Sequence, residues 1–399
     1  MEPELRPLEN SDLHQAFRLD RQAFNLPESR REHWVRWSRP ERILGAFENG
    51  RLRAACRVWE FGQYFGGRPL PMGGVANVGV APERRGTGLA RRLLHEALRA
   101  MQGRGEVISA LYPATTSLYR AAGYELAGNS TWVQVDAASL RGLAAPASHR
   151  VQPLESPEDF EAARRCYEAV APGIDGWLAR GDFRWGALRA DWSQERYCYG
   201  CVDGRGQLEG YVVYRHERVP PGASGDYAIR VDELVAATPA ALRALWRTLA
   251  SSASLAHVIT CMASPEDALV LLVPEQRALR VRAQLRWMLR VVDAPGAVAA
   301  RGFAPGLDVE APLRLRDALL PTNRGDWILR VRDGVGQLEK GGGSGAPQLG
   351  IGAFAALFSG YADTGRLARA GLLEGGGPEA RRALDLAFAG PTPWMIDEF

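Results

Sequence analysis

The residues best placed for chemistry are Val78-Gly79-Val80-Ala81-Pro82-Glu83-Arg84-Arg85-Gly86-Thr87-Gly88-Leu89-Ala90. A β-branched stretch runs into a glycine-rich turn flanked by arginines, and the turn opens an amphipathic helix reaching about Met101. A turn of this kind leaves several backbone N–H groups unpaired at the start of a helix, where the helix dipole also favours negative charge. Gly86 and Gly88 let the backbone approach a ligand with no Cβ in the way. The chemistry implied is the holding of a pyrophosphate. A P-loop is excluded because no lysine follows the glycines, Lys340 being the only lysine in the chain. A dinucleotide fingerprint is excluded because Ala90-Arg91 stands where the third glycine belongs. An ordinary tight strand-to-helix turn remains the plain alternative.

The elements that must position this turn read as one α/β unit ending near residue 145. Residues 11–23, with Ser11 as cap, and 28–37 are predicted helical. Strands are expected at 42–46, 52–61 and up to Val80, with Glu48-Asn49-Gly50 turning the first pair. A helix from about Thr87, a strand at 107–111, a short helix at 115–122 stopped by Gly123, and a strand at 124–135 follow, and 143–148 reads as a linker.

Residues 149–293 weakly repeat this pattern. Gly206-Gln-Leu208 leading into 210–217 echoes Gly50-Arg-Leu52 leading into 54–60, and 231–236 with the helix 239–250 mirrors the strand at 75–80 and its helix, at the same offset. The second copy has Ala237-Thr238-Pro239 in place of the Arg/Gly loop, so Thr238 as N-cap and Pro239 at the first helical position close that helix end on itself. From Ala294 the character changes: short antiparallel strands are expected at 313–316, 326–331 and 334–339, a long turn at 341–345, and helices at 350–358, 365–370 and 379–388.

Composition bounds the function. The chain has 399 residues, 46% apolar and 24% charged, with a net charge of +3, too small at this size to indicate nucleic-acid binding. The first residues, Met1-Glu-Pro-Glu-Leu5, lack a basic and then apolar leader, and the longest apolar runs are too short to span a bilayer. Five scattered cysteines read as reduced, buried thiols of a cytoplasmic protein; Cys198 and Cys201, three apart on a strand, would point to opposite faces. The six histidines show no metal-ligand spacing, and no metal is expected.

The Arg85-x-x-Gly88-x-Ala90 pattern after a Val-x-Val-x-Pro strand resembles the acetyl-CoA loop of the GNAT superfamily of N-acetyltransferases. With the degenerate second copy and a C-terminal α+β segment ending in phenylalanine, the chain resembles the enhanced-intracellular-survival (Eis) family. The pieces that carry this are residues 78–91, Ser117-Leu-Tyr-Arg-Ala-Ala-Gly-Tyr124, Ala244-Leu-Trp-Arg-Thr-Leu249, Ala355-Ala-Leu-Phe-Ser-Gly360 and Glu398-Phe399, in order along essentially the whole chain. The resemblance implies α/β and α+β folds: a catalytic GNAT domain at 1–145, a degenerate acetyltransferase-like domain at 149–293, and a sterol-carrier-protein-like domain at 294–399.

It also implies an acetyl-CoA-dependent N-acetyltransferase working by direct transfer. Tyr119 would be the general acid toward the CoA thiolate, since phenol and thiol pKa values are close. The carboxylate of Phe399 would be the base, aimed by a ring anchored in an apolar pocket. Acetyl-CoA contacts would come from Val78, Gly79, Val80, Arg85, Gly86, Thr87, Gly88, Leu89, Ala90 and Arg91, with Ala114 and Thr115 further out, and Arg84 free for phosphate or solvent. Trp34, Trp37 and Phe24 would line an acceptor cleft toward which Glu398 draws ammonium groups; each aromatic also fits a core role. Family members acetylate cationic amines, aminoglycosides among them, and assemble as hexamers. Two positions depart from the family: residues 23–26 hold no acid, and Asn77 stands where an aromatic is expected. A protein lysine or N-terminal acceptor, or a non-catalytic acyl-CoA or lipid binder, are the alternative readings.

Overall fold

The computed structural model describes residues 2–144, 146–192, 196–218, 227–343 and 345–399. Ala145, in the expected linker, and Ser344, in the expected glycine-rich turn, lie outside the described residues. The chain divides into two compact units, Met1–Gly128 with Arg286–Pro391 and Glu398–Phe399, and Asn129–Leu285 with Thr392–Asp397.

The first unit begins with β1 (Glu4–Pro7), α1 (Leu13–Phe24), α2 (Arg31–Arg36), β2 (Ile43–Glu48), β3 (Arg51–Phe65), β4 (Arg68–Val80), α3 (Leu89–Gly103), β5 (Ile108–Leu111) and α4 (Thr116–Ala121). Ser11 does not cap α1. It sits inside a 3₁₀ turn, Asn10–Asp12, whose start is closed reciprocally by Glu9 and Asp12. The Asp12 carboxylate accepts the Glu9 N–H at 2.9 Å and so takes the capping role expected of the hydroxyl. α1 ends at Asn25 in a left-handed conformation. β3 and β4 are longer than expected, because Gly62, Pro69, Pro71, Gly73 and Gly74 break the alternation by which strands are recognised. α3 starts at Leu89, not Thr87; the Thr87 hydroxyl turns back to donate to the Arg84 carbonyl at 2.7 Å.

α3 buries Leu89, Leu93, Leu94, Ala97, Leu98 and Met101, spaced for one helical face, against Ala54, Cys56, Val58 and Val75 of the sheet. α1 and α2 pack a separate cluster around Phe17, Trp34, Phe47, Leu52 and Ala55. From Ala54 on, alternate residues of β3 face different cores, while Leu52 joins the other cluster because the register with β2 shifts between it and Ala54.

The second unit takes in residues 129–136 of β6 (Glu125–Asp136) and β7 (Arg150–Pro153), α5 (Pro157–Val170), β8 (Leu178–Ala179), α6 (Asp182–Asp191), β9 (Tyr197–Val202), β10 (Leu208–Arg218), β11 (Tyr227–Ala236), α7 (Pro239–Ala250), β12 (Val258–Ala263) and α8 (Leu269–Leu272). Its strand order is β6-β12-β11-β10-β9-β7. The Thr238 side chain caps α7 by accepting the Ala241 N–H at 3.2 Å, with Pro239 in the first turn, so the helix end at the position of the Arg/Gly loop is closed as expected. Cys198 and Cys201, like the other three cysteines, are buried free thiols. The tail is tied down within this unit. The Met395 N–H donates to the Asn129 carbonyl at 3.1 Å, the Ser130 hydroxyl donates to the Met395 carbonyl at 2.7 Å, and buried Asp397 pairs with buried Arg180 at 3.0 Å.

The remainder of the first unit comprises residues 286–291 of β13 (Leu279–Val291), then α9 (Ala294–Ala300), β14 (Val309–Arg316), β15 (Gly325–Arg332), β16 (Val335–Lys340), β17 (Gln348–Gly350), α10 (Ile351–Phe358), α11 (Thr364–Arg369), β18 (Leu373–Glu374) and α12 (Pro378–Phe388). β13 joins β5 antiparallel and completes the order β1-β2-β3-β4-β5-β13. A second sheet runs β16-β15-β14-β17-β18; the three expected strands are antiparallel, and β17 adds to β14 in parallel.

Arg290 of β13 braces the first unit behind α4. Fully buried, it donates through Nε to the Ala122 carbonyl at 2.9 Å, just past α4, and through Nη2 to Asp317 at 2.6 Å. Asp317 also accepts from Asn323 and from the N–H groups of Leu319 and Leu320. Asp317→Ala would leave a buried guanidinium without its counter-charge. The expected loss is about 3–5 kcal/mol of stability, measured as a lower urea midpoint at an unchanged denaturant slope.

Candidate active site

β4 pairs in parallel with β5 only over Met72–Gly74 against Ile108–Ala110, while it stays paired with β3 as far as Val80. Beyond Gly74 no strand lies beside the edge of β4 that faced β5, and the Val80 carbonyl there accepts from Arg85 Nε at 3.4 Å. The Ala81 N–H donates to the Arg53 carbonyl at 2.8 Å, so the two-residue alternation of the ladder turns the main-chain groups of Val78 and Val80 toward the open edge and those of Gly79 toward β3. The register slips between Ala55 and Arg57, so that Asn77 and Val78 together oppose Cys56; this is a β-bulge, with Asn77 at φ +50°.

Past the open edge, the turn brings Gly86 and Gly88 to φ +77° and +84°, a conformation that side-chain-bearing residues rarely adopt. Gly88 is the N-cap of α3 and carries no side-chain cap, leaving the first N–H groups of the helix available. Arg85, Gly86, Thr87 and Arg91 are exposed, Leu89 is buried in the α3 core, and Ala90 is half-buried. Arg84 is not free for phosphate: its guanidinium is paired with Glu48. Ala114 and Thr115 are exposed at the start of α4, where Thr115 provides no side-chain cap.

Tyr119 is buried and shares one apolar cluster with Cys56, Leu89, Val78 and Val80. Its ring meets Tyr124 edge-on at 6.0 Å, and its hydroxyl makes no hydrogen bond among the described residues. Burial pushes its pKa up to about 12, with Cys56 adding to the shift. This departs from the pKa match expected from sequence. A phenol this weakly acidic holds its proton and hydrogen-bonds a developing thiolate more readily than it gives the proton up. The ring of Phe399 lies 5.2 Å from that of Phe61 and 6.1 Å from that of Tyr112, and a Cβ at Gly74 would meet it at 2.8 Å. Phe399 thus packs where β4 leaves β5.

The proposed acceptor residues are less gathered. Trp34 is a core residue packed edge-on against Phe17 at 5.6 Å, its indole N–H donating to Asp20 at 3.1 Å. Trp37, at the end of α2, lies 6.5 Å from His33 and is half-buried; Phe24 and Glu398 are exposed. Sequence reasoning missed Asp20, Arg57 and Glu48. Asp20 is buried, and its carboxylate also accepts from the Asn77 amide at 2.5 Å. Arg57 is buried over the rings of Trp34 and Trp59, at 4.5 and 4.7 Å. The available signal was an asparagine inside a β-branched strand, since asparagine tolerates positive φ where a strand bulges.

Known proteins resemble this chain in fold along most of its length. The acetyltransferase (GNAT) domain family matches residues 4–127 and again 176–291, and the sterol carrier protein domain family matches 294–396. A GCN5-related N-acetyltransferase of Kribbella flavida is 36% identical, with all of this chain and 99% of that one covered and a TM-score of 0.87. This chain belongs to the GNAT acetyltransferases, as an Eis-like member. A GCN5-related N-acetyltransferase of Anabaena variabilis is 31% identical over the whole of both chains, with a TM-score of 0.90. The N-acetyltransferase Eis of Mycobacterium tuberculosis is 28% identical over 341 residues, covering 81% of this chain and 79% of that protein. The fold is accordingly two GNAT domains, the second lacking the Arg/Gly loop, followed by a sterol-carrier-protein-like domain, and the activity is acetyl transfer from acetyl-CoA. Among the described residues no helix is long and apolar enough to cross a membrane.

Tyr119→Phe is expected to lower kcat by roughly 100-fold or more with little change in the KM for acetyl-CoA. Because burial raises the pKa of this phenol, its protonated form persists into alkali. The wild-type rate should therefore show no tyrosine-dependent decline between about pH 7 and pH 10, and a kcat–pH profile of both proteins checks this.

Proposed function

We propose that this acetyltransferase acetylates a primary amine of a small cationic molecule, aminoglycoside-like amines included, by direct transfer within a ternary complex. The observation that carries the reading is the parting of β4 from β5 beside the uncapped start of α3, with Tyr119 and the Phe399 ring on either side of the gap. Pantetheine would pair with the open edge at 78–80 as an added strand, and the pyrophosphate would sit on the N–H groups of residues 86–91, assisted by Arg85 and Arg91. The neutral amine attacks the thioester carbon. The charge arriving on the carbonyl oxygen is met by main-chain N–H at 78–80. The Phe399 carboxylate takes the proton from the new ammonium, directly or through water, and as the C–S bond breaks Tyr119 hydrogen-bonds the departing thiolate, which takes a proton from solvent water while the Phe399 carboxyl returns its own proton to solvent.

An acceptor that must reach the Phe399 carboxylate is better served by a small amine than by a lysine on a folded protein surface. The proposal extends, on the family resemblance, to a cytoplasmic homohexamer with Glu398, Trp34 and Trp37 near the acceptor. The test is thiol release from acetyl-CoA with a panel of polyamines, aminoglycosides and lysine peptides, comparing the native chain with one extended by a glycine after Phe399. Small cationic amines should turn over, and the extension should lower kcat by about 100-fold with CoA affinity retained. Equal rates in both proteins would remove Phe399 from the mechanism, and turnover of peptides alone would overturn the acceptor class.

A further inference from the structure

Asp20 is a buried carboxylate that the transfer steps above do not use. It is 3% exposed, and burial raises its pKa although the Asn77 amide, the charge of buried Arg57 and the Trp34 indole all act to lower it. Keeping a carboxyl group there works against stability unless its position matters. Both donors, the Asn77 amide at 2.5 Å and the Trp34 indole at 3.1 Å, meet the same oxygen, Oδ2. Trp34 is in turn fixed by Phe17 and by the guanidinium of Arg57, whose Nη2 donates to the Ser38 hydroxyl at 2.9 Å. Asp20 Oδ2 therefore joins Trp34, fixed among Phe17 and Arg57, to Asn77 of the bulge.

Asn77 is the left-handed residue of the bulge opposite Cys56. A non-glycine residue in that region costs on the order of 1 kcal/mol unless its surroundings hold it there. The bulge decides which way the next peptide faces, and the next residue is Val78, whose main-chain groups turn to the open edge.

We propose that Asp20 is a positioning residue for acetyl transfer: by holding the side chain of Asn77 it fixes the bulge that aims the Val78 N–H at the thioester carbonyl oxygen. This rests on the reading that the thioester lies along the open edge of β4. A donor aimed at the developing oxyanion acts on the transition state more than on the bound cosubstrate, so its misplacement lowers kcat and leaves the KM for acetyl-CoA nearly unchanged.

The experiment is a double-mutant cycle with D20A, N77G and D20A/N77G, together with D20N, measured for kcat and for KM toward acetyl-CoA and amine. Amide hydrogen exchange of residues 76–81 is followed with and without CoA. D20A and N77G should each lower kcat by at least about tenfold, and the double variant should fall no further than either. D20N, which can present its amide oxygen where Oδ2 stands, should stay within about threefold of wild type. Additive losses, D20A activity equal to wild type, or an effect confined to the KM for the amine would overturn the proposal. A D20N loss as deep as that of D20A would do so too, since charge and not the hydrogen bond would then be acting. N77G suits the left-handed backbone and carries the test if D20A does not fold. CoA should protect residues 78–80 in the wild-type protein; if it does not, the placement of the thioester fails and the proposal falls with it.

Discussion

The ladder between β4 and β5 stops at Gly74 and Ala110, while β4 runs on to Val80 bonded to β3 alone. That half-bonded stretch is the constraint on which the candidate site depends. Buried main-chain donors and acceptors must find partners, so a strand stripped of one neighbour in mid-sheet needs water or a ligand along that edge. The elements around it keep the gap in place. β3 holds the inner edge through the bulge opposite Cys56, α3 covers one face, α1 and α2 build the other, and Arg290 fixes the chain just behind α4. Gathered at this gap are the Val78 main chain, the Tyr119 phenol and the ring that anchors the Phe399 terminus.

Much of this was legible in the residues, and the reasons differ from place to place. The loop at 84–91 could be read because its function lies in backbone conformation, which glycine announces directly. The closed start of α7 could be read because a threonine N-cap followed by proline is a local signal, complete within four residues. The full extent of β3 and β4 could not: their glycines and prolines are tolerated by pairing partners far away in sequence. Ser11 misled because Asp12 beside it makes the same kind of hydrogen bond at a better point. Asp20 was hidden for another reason. The helical period already places it on the buried face with Leu13, Ala16 and Phe17; its meaning, though, lies in Asn77, which stands 57 residues away.

Two features of the site temper expectations taken from side-chain chemistry alone. Tyr119 shares an apolar cluster with the helix core, so the burial that places it also raises its pKa and suits it to offering a hydrogen bond more than releasing a proton. Arg84, one of two adjacent arginines in the loop, is engaged by Glu48, which leaves Arg85 as the freer cation at the turn. Each time, a neighbour distant in sequence decides which of the possible roles a residue keeps.

The strand order of the first unit carries a consequence for how the protein is made. β5 finds its second neighbour in β13, pairing Leu111 with Met288, although residues up to 291 match the second acetyltransferase domain. β6, which begins where the first acetyltransferase match ends, pairs instead with β12 in the second unit. On a ribosome, the first half would emerge with β5 still an unpaired edge, and this edge would stay open until β13 had been synthesised. Pairing over so long a separation is slow to find. The newborn chain thus passes through an interval in which the strand beside the candidate site presents an unpaired edge.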